Sequence, residues 1–244
     1  MTLFSLDQIE TVPLTTWKTD AVYQFKNKMT DTENAFPCIP AIQALYNKHL
    51  RFAFVGDPRD QTTSLTLADT IKEYALSSRK FGKYSTLITF FFTPNDLATM
   101  PIAYFEHLFW EQLKAIHAID QKKWPSSVPK EVSNPAWEFC FHGEPLFIYC
   151  ASPAHKQRKS RNFPYFMFAL TPRWVLQNFP SSSDYANIIK SKIRNRLTKY
   201  DSIAPHPDLN TYGNEDNFEW KQYFLRDDQT SSSCPFLNAL KKEK

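Results

Sequence analysis

Between Trp137 and Arg173 the chain concentrates side chains able to do chemistry. Glu138 and Glu144 bracket His142. A compact cationic run follows, His155-Lys156-Gln157-Arg158-Lys159-Ser160-Arg161, and aromatic residues frame both groups. Arg, Lys and Ser donors gathered on one loop bind anionic oxygens through charge-assisted hydrogen bonds. A phosphate, a substrate carboxylate or haem propionates would each satisfy them. His155 adds a neutral imidazole that a metal could use. A solvated, charged turn is the competing reading of such a run.

Other candidates stand outside this window. Cys38 lies in a tight Phe36-Pro37-Cys38 turn, where a thiolate could ligate haem iron or a thiol could serve as a small buried apolar group. His142 sits in a turn beside Glu144. His107 and His117 fall on one amphipathic segment, at a spacing that does not make a metal pair. His206-Pro207-Asp208 resembles part of a facial iron triad, but no second His follows it. There is no His-Glu-x-x-His and no Glu-x-x-His, which removes the zinc-protease and di-iron bundle patterns. An oxygenase would therefore have to lean on haem, where one axial side chain is enough.

The elements that must hold these groups can be read from periodicity. Arg51 to Val55 alternates and ends in Gly56-Asp57-Pro58, a strand and a turn. Leu67, Ile71, Tyr74 and Ala75 recur at helical spacing, with Thr66 as the expected cap. Tyr84 to Phe92 is β-branched and aromatic and predicts a buried strand. Ile102, Phe105, Phe109, Leu113 and Ile116 mark a long amphipathic helix. A Pro-rich loop follows over 122–135. Trp137 to Phe141 and Leu146 to Ala151 then form a hairpin, with a somewhat long turn over 142–145. Tyr165 to Leu170 is a third strand of that group, and Ser183 is placed to cap a basic helix running to Tyr200. Strands separated by helices early and consecutive strands late define α+β, with a mostly antiparallel central sheet flanked by helices in a single domain. Residues 1–35 read as an N-terminal extension packing on a domain over 36–236, and 237–244 as a frayed tail.

Composition narrows the function classes. The 244 residues carry 29 Lys and Arg against 25 Asp and Glu, a mild excess that argues against dedicated nucleic-acid binding. Four Gly leave no G-x-G-x-x-G or P-loop for phosphates. No apolar run is long enough to span a bilayer, and the first residues do not resemble a secretory signal. Four Cys without a C-x-x-C pair do not make a disulfide scaffold, so a cytoplasmic location is expected. The 38 aromatic residues suit a large core or an apolar pocket (21 Phe, 11 Tyr and 6 Trp).

Several short stretches occur in a recognisable order. They are Phe36-Pro37-Cys38, Phe141 with Gly143 to Phe147, Ser152 to Arg161, Leu170-Thr171-Pro172-Arg173-Trp174, and Tyr212-Gly213 before Trp220-Lys221. In this order the chain resembles the YqcI/YcgG family from about Phe36 to Phe236, and the stretch from Pro153 to Arg161 is its most specific part. The resemblance implies a haem-dependent N-hydroxylase. It would use dioxygen and an electron donor on a guanidine or amine nitrogen of an amino-acid-like substrate. Carried onto this chain, it makes His155 the expected axial ligand. Arg158, Ser160 and Arg161 are expected to hold propionates or a substrate carboxylate, and Glu138 or Glu144 to pair with the cationic substrate. Cys38 and His142 remain alternatives for the iron. The family reading carries no membrane or nucleic-acid partner and allows a homodimer. The competing functions are a non-catalytic haem- or anion-binding module, and a scaffold that uses the basic helix.

Overall fold

The computed structural model describes residues 2–178, 184–210, 215–233 and 236. Its centre is a five-stranded sheet in the order β1-β2-β5-β4-β3. The strands are β1 (Leu50–Val55), β2 (Thr86–Phe91), β3 (Phe139–Phe141), β4 (Glu144–Ala151) and β5 (Met167–Pro172). β1 and β2 run parallel, whereas β2–β5, β5–β4 and β4–β3 pair antiparallel. The α+β expectation holds, with a mixed sheet. The parallel pair follows from the long α4 (Gln61–Ser77), which carries the chain back over the sheet between β1 and β2. β2 is buried from Leu87 to Phe91 because it is an inner strand covered on both faces.

Side chains alternate between the two faces, and each face has its own helical layer. One face carries Ala53, Val55, Leu87, Phe91, Leu146, Ile148, Phe168 and Leu170. α4 packs there through Leu67, Ile71 and Tyr74, and α6 (Ile102–Ala118) through Phe105, Phe109, Leu113 and Ile116. These are the positions the helical periodicity selects. The cap of α4 is different from the expectation: Asp60, not Thr66, accepts the Thr62 N–H at 2.9 Å, so the helix starts a turn earlier. Trp220, Tyr223, Phe224 and Phe236 complete this layer.

The opposite face carries Leu50, Phe52, Ile88, Phe90, Tyr149, Ala151, Met167 and Ala169. It is covered by α1 (Leu6–Thr11), α2 (Thr16–Thr30) and α3 (Ile39–Tyr46). α2 buries Ala21, Val22, Phe25 and Met29, residues one and two turns apart. Phe4 pairs with Phe52 at the edge of β1. The first 35 residues thus contribute directly to this core.

Two turns matter for the site. The β3–β4 hairpin is tight, with only His142 and Gly143 between the strands, and Glu144 and Pro145 already belong to β4. Both turn residues have positive φ, 51° and 79°, as a two-residue hairpin with the right twist requires. After β5, Pro172 opens α7 (Arg173–Gln177). The basic helix α8 spans Asp184–Tyr200; its expected cap Ser183 lies outside the described residues, as do Tyr212, Gly213, Cys234 and the tail 237–244.

Candidate functional site

The cationic loop after β4 folds inward and binds its own chain. His155 is fully buried. Its Nε2–H donates to the Leu225 carbonyl at 2.9 Å, and Nδ1 accepts from the Ser152 hydroxyl at 2.8 Å. A carbonyl can only accept, so the proton of the neutral ring is on Nε2. Burial is the main cause that lowers its pKa to about 4. Both ring nitrogens are engaged, so the imidazole offers iron no lone pair. The imidazole expected as the axial ligand is here turned to its own chain.

The two arginines are likewise turned to backbone carbonyls. Arg158 donates Nε–H to Arg226 O at 2.6 Å, and its terminal nitrogens donate to Ala204 O at 3.2 Å and Asp228 O at 2.6 Å. Arg161 donates to Cys150 O, Tyr223 O and Gln222 O at 3.1, 2.7 and 2.7 Å. Ser160 donates its backbone N–H and its hydroxyl to Asp201, at 2.7 and 3.0 Å. The loop's donors thus hold one carboxylate of this chain, Asp201, and a second is Asp227. It accepts the N–H groups of Lys156, Gln157 and Arg158 at 2.7, 2.9 and 2.8 Å. Burial pushes the Asp227 carboxyl upward, yet these three bonds outweigh it and hold its pKa below the usual value. The loop is a clasp on residues 201–228, and a haem does not fit this donor set.

Glu138 and Glu144 do pair with guanidinium groups, again of this chain. Glu138 accepts from Arg173 and Glu144 from Arg79, each at 2.9 Å. His142 sits at the hairpin tip, its N–H on Asp120 at 2.8 Å. The His206 Nδ1 accepts the Asp208 N–H at 3.1 Å, which makes the H-x-D pair a local turn. Among the described residues no group of three His, Cys, Asp or Glu is arranged to hold a metal.

An apolar cavity opens on the other side of the clasp, over the sheet face covered by α2 and α3. The hollow is open at its mouth and lies between the sheet, α2 and α3. The space exists because small residues oppose each other: Ala151 and Ala169 on the sheet, Ala41 and Ala44 on α3. Phe25, Phe36, Ile88, Phe163 and Val175 wall it, and Thr86, Thr171 and Tyr149 bring hydroxyl groups.

Cys38 is on this wall, at the N-cap of α3. Burial raises its pKa, and the Ala41 N–H at the start of the helix opposes that by favouring the thiolate. Tyr149 is held from behind. Its hydroxyl donates to Ser160 O, and the Arg161 guanidinium stacks on its ring at 4.2 Å. A soft sulfur on an apolar wall is a donor of the kind that haem iron takes. Of the candidate iron ligands, Cys38 in the Phe-Pro-Cys turn is the one on this cavity. Lys28, Tyr149, Thr171 and Ala169 were missed, although Ala151 and Ala169 on apolar strands are a trace of the hollow.

Fold and cavity together define an α+β protein with an apolar pocket between its sheet and its N-terminal helices. The chain belongs to the YqcI/YcgG family, whose model matches residues 25–237. It is 45% identical to the uncharacterized protein YqcI of Bacillus subtilis (strain 168), over 96% of this chain and 94% of that one. It is also 45% identical to that organism's uncharacterized protein YcgG, over 90% and 88%. It is 32% identical to the Streptomyces lavendulae protein described as "Putative N(omega)-hydroxy-L-arginine synthase DcsA", over 90% of this chain and 84% of that one. No solved structure matches it. No described helix is long and apolar enough to cross a membrane.

Proposed function

We propose that this protein is an N-hydroxylase acting on a guanidine or amine nitrogen of an amino-acid-like substrate, with haem in the cavity between sheet and α3 and Cys38 as the iron ligand. The observation that carries this reading is Cys38 on the wall of a largely apolar cavity. The name of the Streptomyces relative, a hydroxy-arginine synthase, supports the reaction class. Bound haem would supply the activation of dioxygen, with electrons from a separate donor, and a thiolate ligand favours O–O cleavage.

The chain's own residues set the conditions. Phe25, Phe36, Ile88, Phe163 and Val175 exclude water. Burial raises the pKa of Cys38, so its thiol holds the proton and gives it up on binding a metal. Tyr149 stays a neutral phenol, since burial raises its pKa, and its hydroxyl is fixed on Ser160 O.

A second reading, a non-catalytic haem carrier or sensor, is favoured by one observation: among the described residues no carboxylate lines the cavity to meet a guanidinium. The full chain expressed with a haem precursor is expected to show a Soret band, and its ferrous–CO spectrum the red shift of thiolate ligation. Cys38→Ser is expected to abolish that shift while Cys140→Ser leaves it. A colourless protein, or spectra indifferent to Cys38→Ser, overturns the assignment. Incubation with arginine, dioxygen and reductant then separates enzyme from carrier by the presence of hydroxylated product.

A further inference from the structure

Among the described residues, Lys28 is the only charged side chain on the cavity wall. It projects from α2 across the cavity's rim to the clasp loop. Its Nζ donates to the carbonyls of Lys159 and Asn162, each at 2.8 Å. The rings of Tyr200 and Phe36 lie 5.4 and 5.7 Å from it. It forms no ion pair with a carboxylate among the described residues. An ammonium group has three donors, so one N–H is left over after the two carbonyls.

The ammonium is half-buried, and its charge is met by two carbonyls and two ring faces rather than by a paired carboxylate, so an anion in the cavity would gain by joining it. Burial lowers its pKa to about 8, with the more distant Asp201 opposing. Tyr149 shares the clasp end with Lys28, and two further hydroxyl groups stand at the far end. Thr86 and Thr171, 3.1 Å apart through their hydroxyls, sit at the ends of β2 and β5 opposite the clasp. From Phe147 to Ala151 along β4, at about 3.3 Å per residue, the floor is roughly 13 Å long. The cavity thus fits a ligand with an apolar body and a carboxylate at one edge.

We propose that Lys28 receives the carboxylate of the molecule that occupies this cavity. The inference rests on the cavity being the ligand site, but not on Cys38 being the iron ligand. Two sources share this chemistry: a propionate of the porphyrin and the carboxylate of an amino-acid substrate.

The test uses the full chain and two matched probe pairs. Iron protoporphyrin IX is compared with its dimethyl ester by absorbance titration, and arginine with agmatine, its decarboxylated counterpart, by calorimetry on haem-loaded protein. Wild type is expected to prefer the free carboxylate roughly 10- to 100-fold in at least one pair, the usual span for a hydrogen bond to a charged group. Lys28→Met is expected to erase that preference, and Lys28→Arg to keep most of it. Erasure in the porphyrin pair alone assigns the propionate, and in the arginine pair alone the substrate. Circular dichroism and thermal melting check that each variant is folded. No carboxylate preference in wild type, or one that survives Lys28→Met in both pairs, overturns the proposal. A porphyrin that prefers its acid form without the thiolate spectrum defeats the Cys38 assignment and leaves Lys28 standing.

Discussion

Acidification tests the clasp at its most sensitive point. His155 is fully buried and neutral, with Nε2–H on Leu225 O and Nδ1 accepting from Ser152. Burial lowers its pKa from the ordinary 6.5 to about 4. The folded state therefore binds this proton less readily than the unfolded chain. The stabilising contribution is complete above about pH 6.5 and is lost as pH falls toward about 4. A gap of about 2.5 pH units, at about 1.4 kcal/mol per unit, corresponds to roughly 3 kcal/mol. Asp201 works the other way, because burial raises its carboxyl and its protonation relieves the folded state on acidification. Asp227, held low by three backbone N–H groups against its burial, contributes to the fall only at the acid end. A reference protein, His155→Gln, removes these common contributions. Glutamine keeps a donor and an acceptor in similar volume and has no group that titrates. Both proteins are unfolded in urea between about pH 7 and about pH 4.5. Wild type is expected to lose about 2 kcal/mol or more in excess of the loss seen for His155→Gln. Parallel losses would refute the neutral buried imidazole, and with it the reason for removing His155 from the list of iron ligands.

Two further predictions separate the clasp from the cavity. Arg158→Met leaves the carbonyls of Arg226 and Asp228 without their donor, at about 1–3 kcal/mol for each group left unsatisfied, while Ala204 O keeps the Gln229 amide. A loss of roughly 3 kcal/mol or more in urea unfolding is expected, with first proteolytic cuts moving to residues 215–233 by mass spectrometry. Ala169→Phe fills the floor of the cavity without touching the clasp. Porphyrin uptake by absorbance is expected to disappear while the melting temperature holds or rises, as cavity filling does; unchanged uptake would place the ligand elsewhere.

The architecture was legible because its signals are local. Period-two and period-3.6 patterns mark β1, β2, β4, β5, α4 and α6, since each of these buries one face or both. The α2 helix was less visible: its mean hydropathy is low, and four buried residues in fifteen make a narrow stripe. The hairpin turn reads two residues too long from residue types because Glu144 and Pro145 look like turn residues, yet at the start of an inner-sheet strand Glu144 is paired with Arg79. The site was harder for a different reason. Residue type shows that Arg158, Arg161 and His155 are donors, but not whether their acceptor is a ligand or the chain's own carbonyls. That depends on residues 201–228, some 40 to 70 positions away. The cavity is harder still, because a hollow is made by small residues on separate elements, and no single stretch shows Ala41, Ala44, Ala151 and Ala169 meeting.

The clasp loop bears on the cavity although its side chains point away from it. Its guanidinium and imidazole groups reach back to the C-terminal segment and fix the loop's path. Its backbone carbonyls face the other way. Ser160 O takes the Tyr149 hydroxyl, and Lys159 O and Asn162 O take the Lys28 ammonium. Two of the cavity's polar groups are thus positioned by the backbone of the cationic run. A loop whose own charges reached into the cavity would have to desolvate Arg and Lys beside apolar walls, at several kcal/mol for each ion. Presenting carbonyls instead places one adjustable ammonium and one neutral phenol at the rim. This division also explains how a run of basic residues serves an apolar cavity: its charges hold the frame, and its backbone sets the rim.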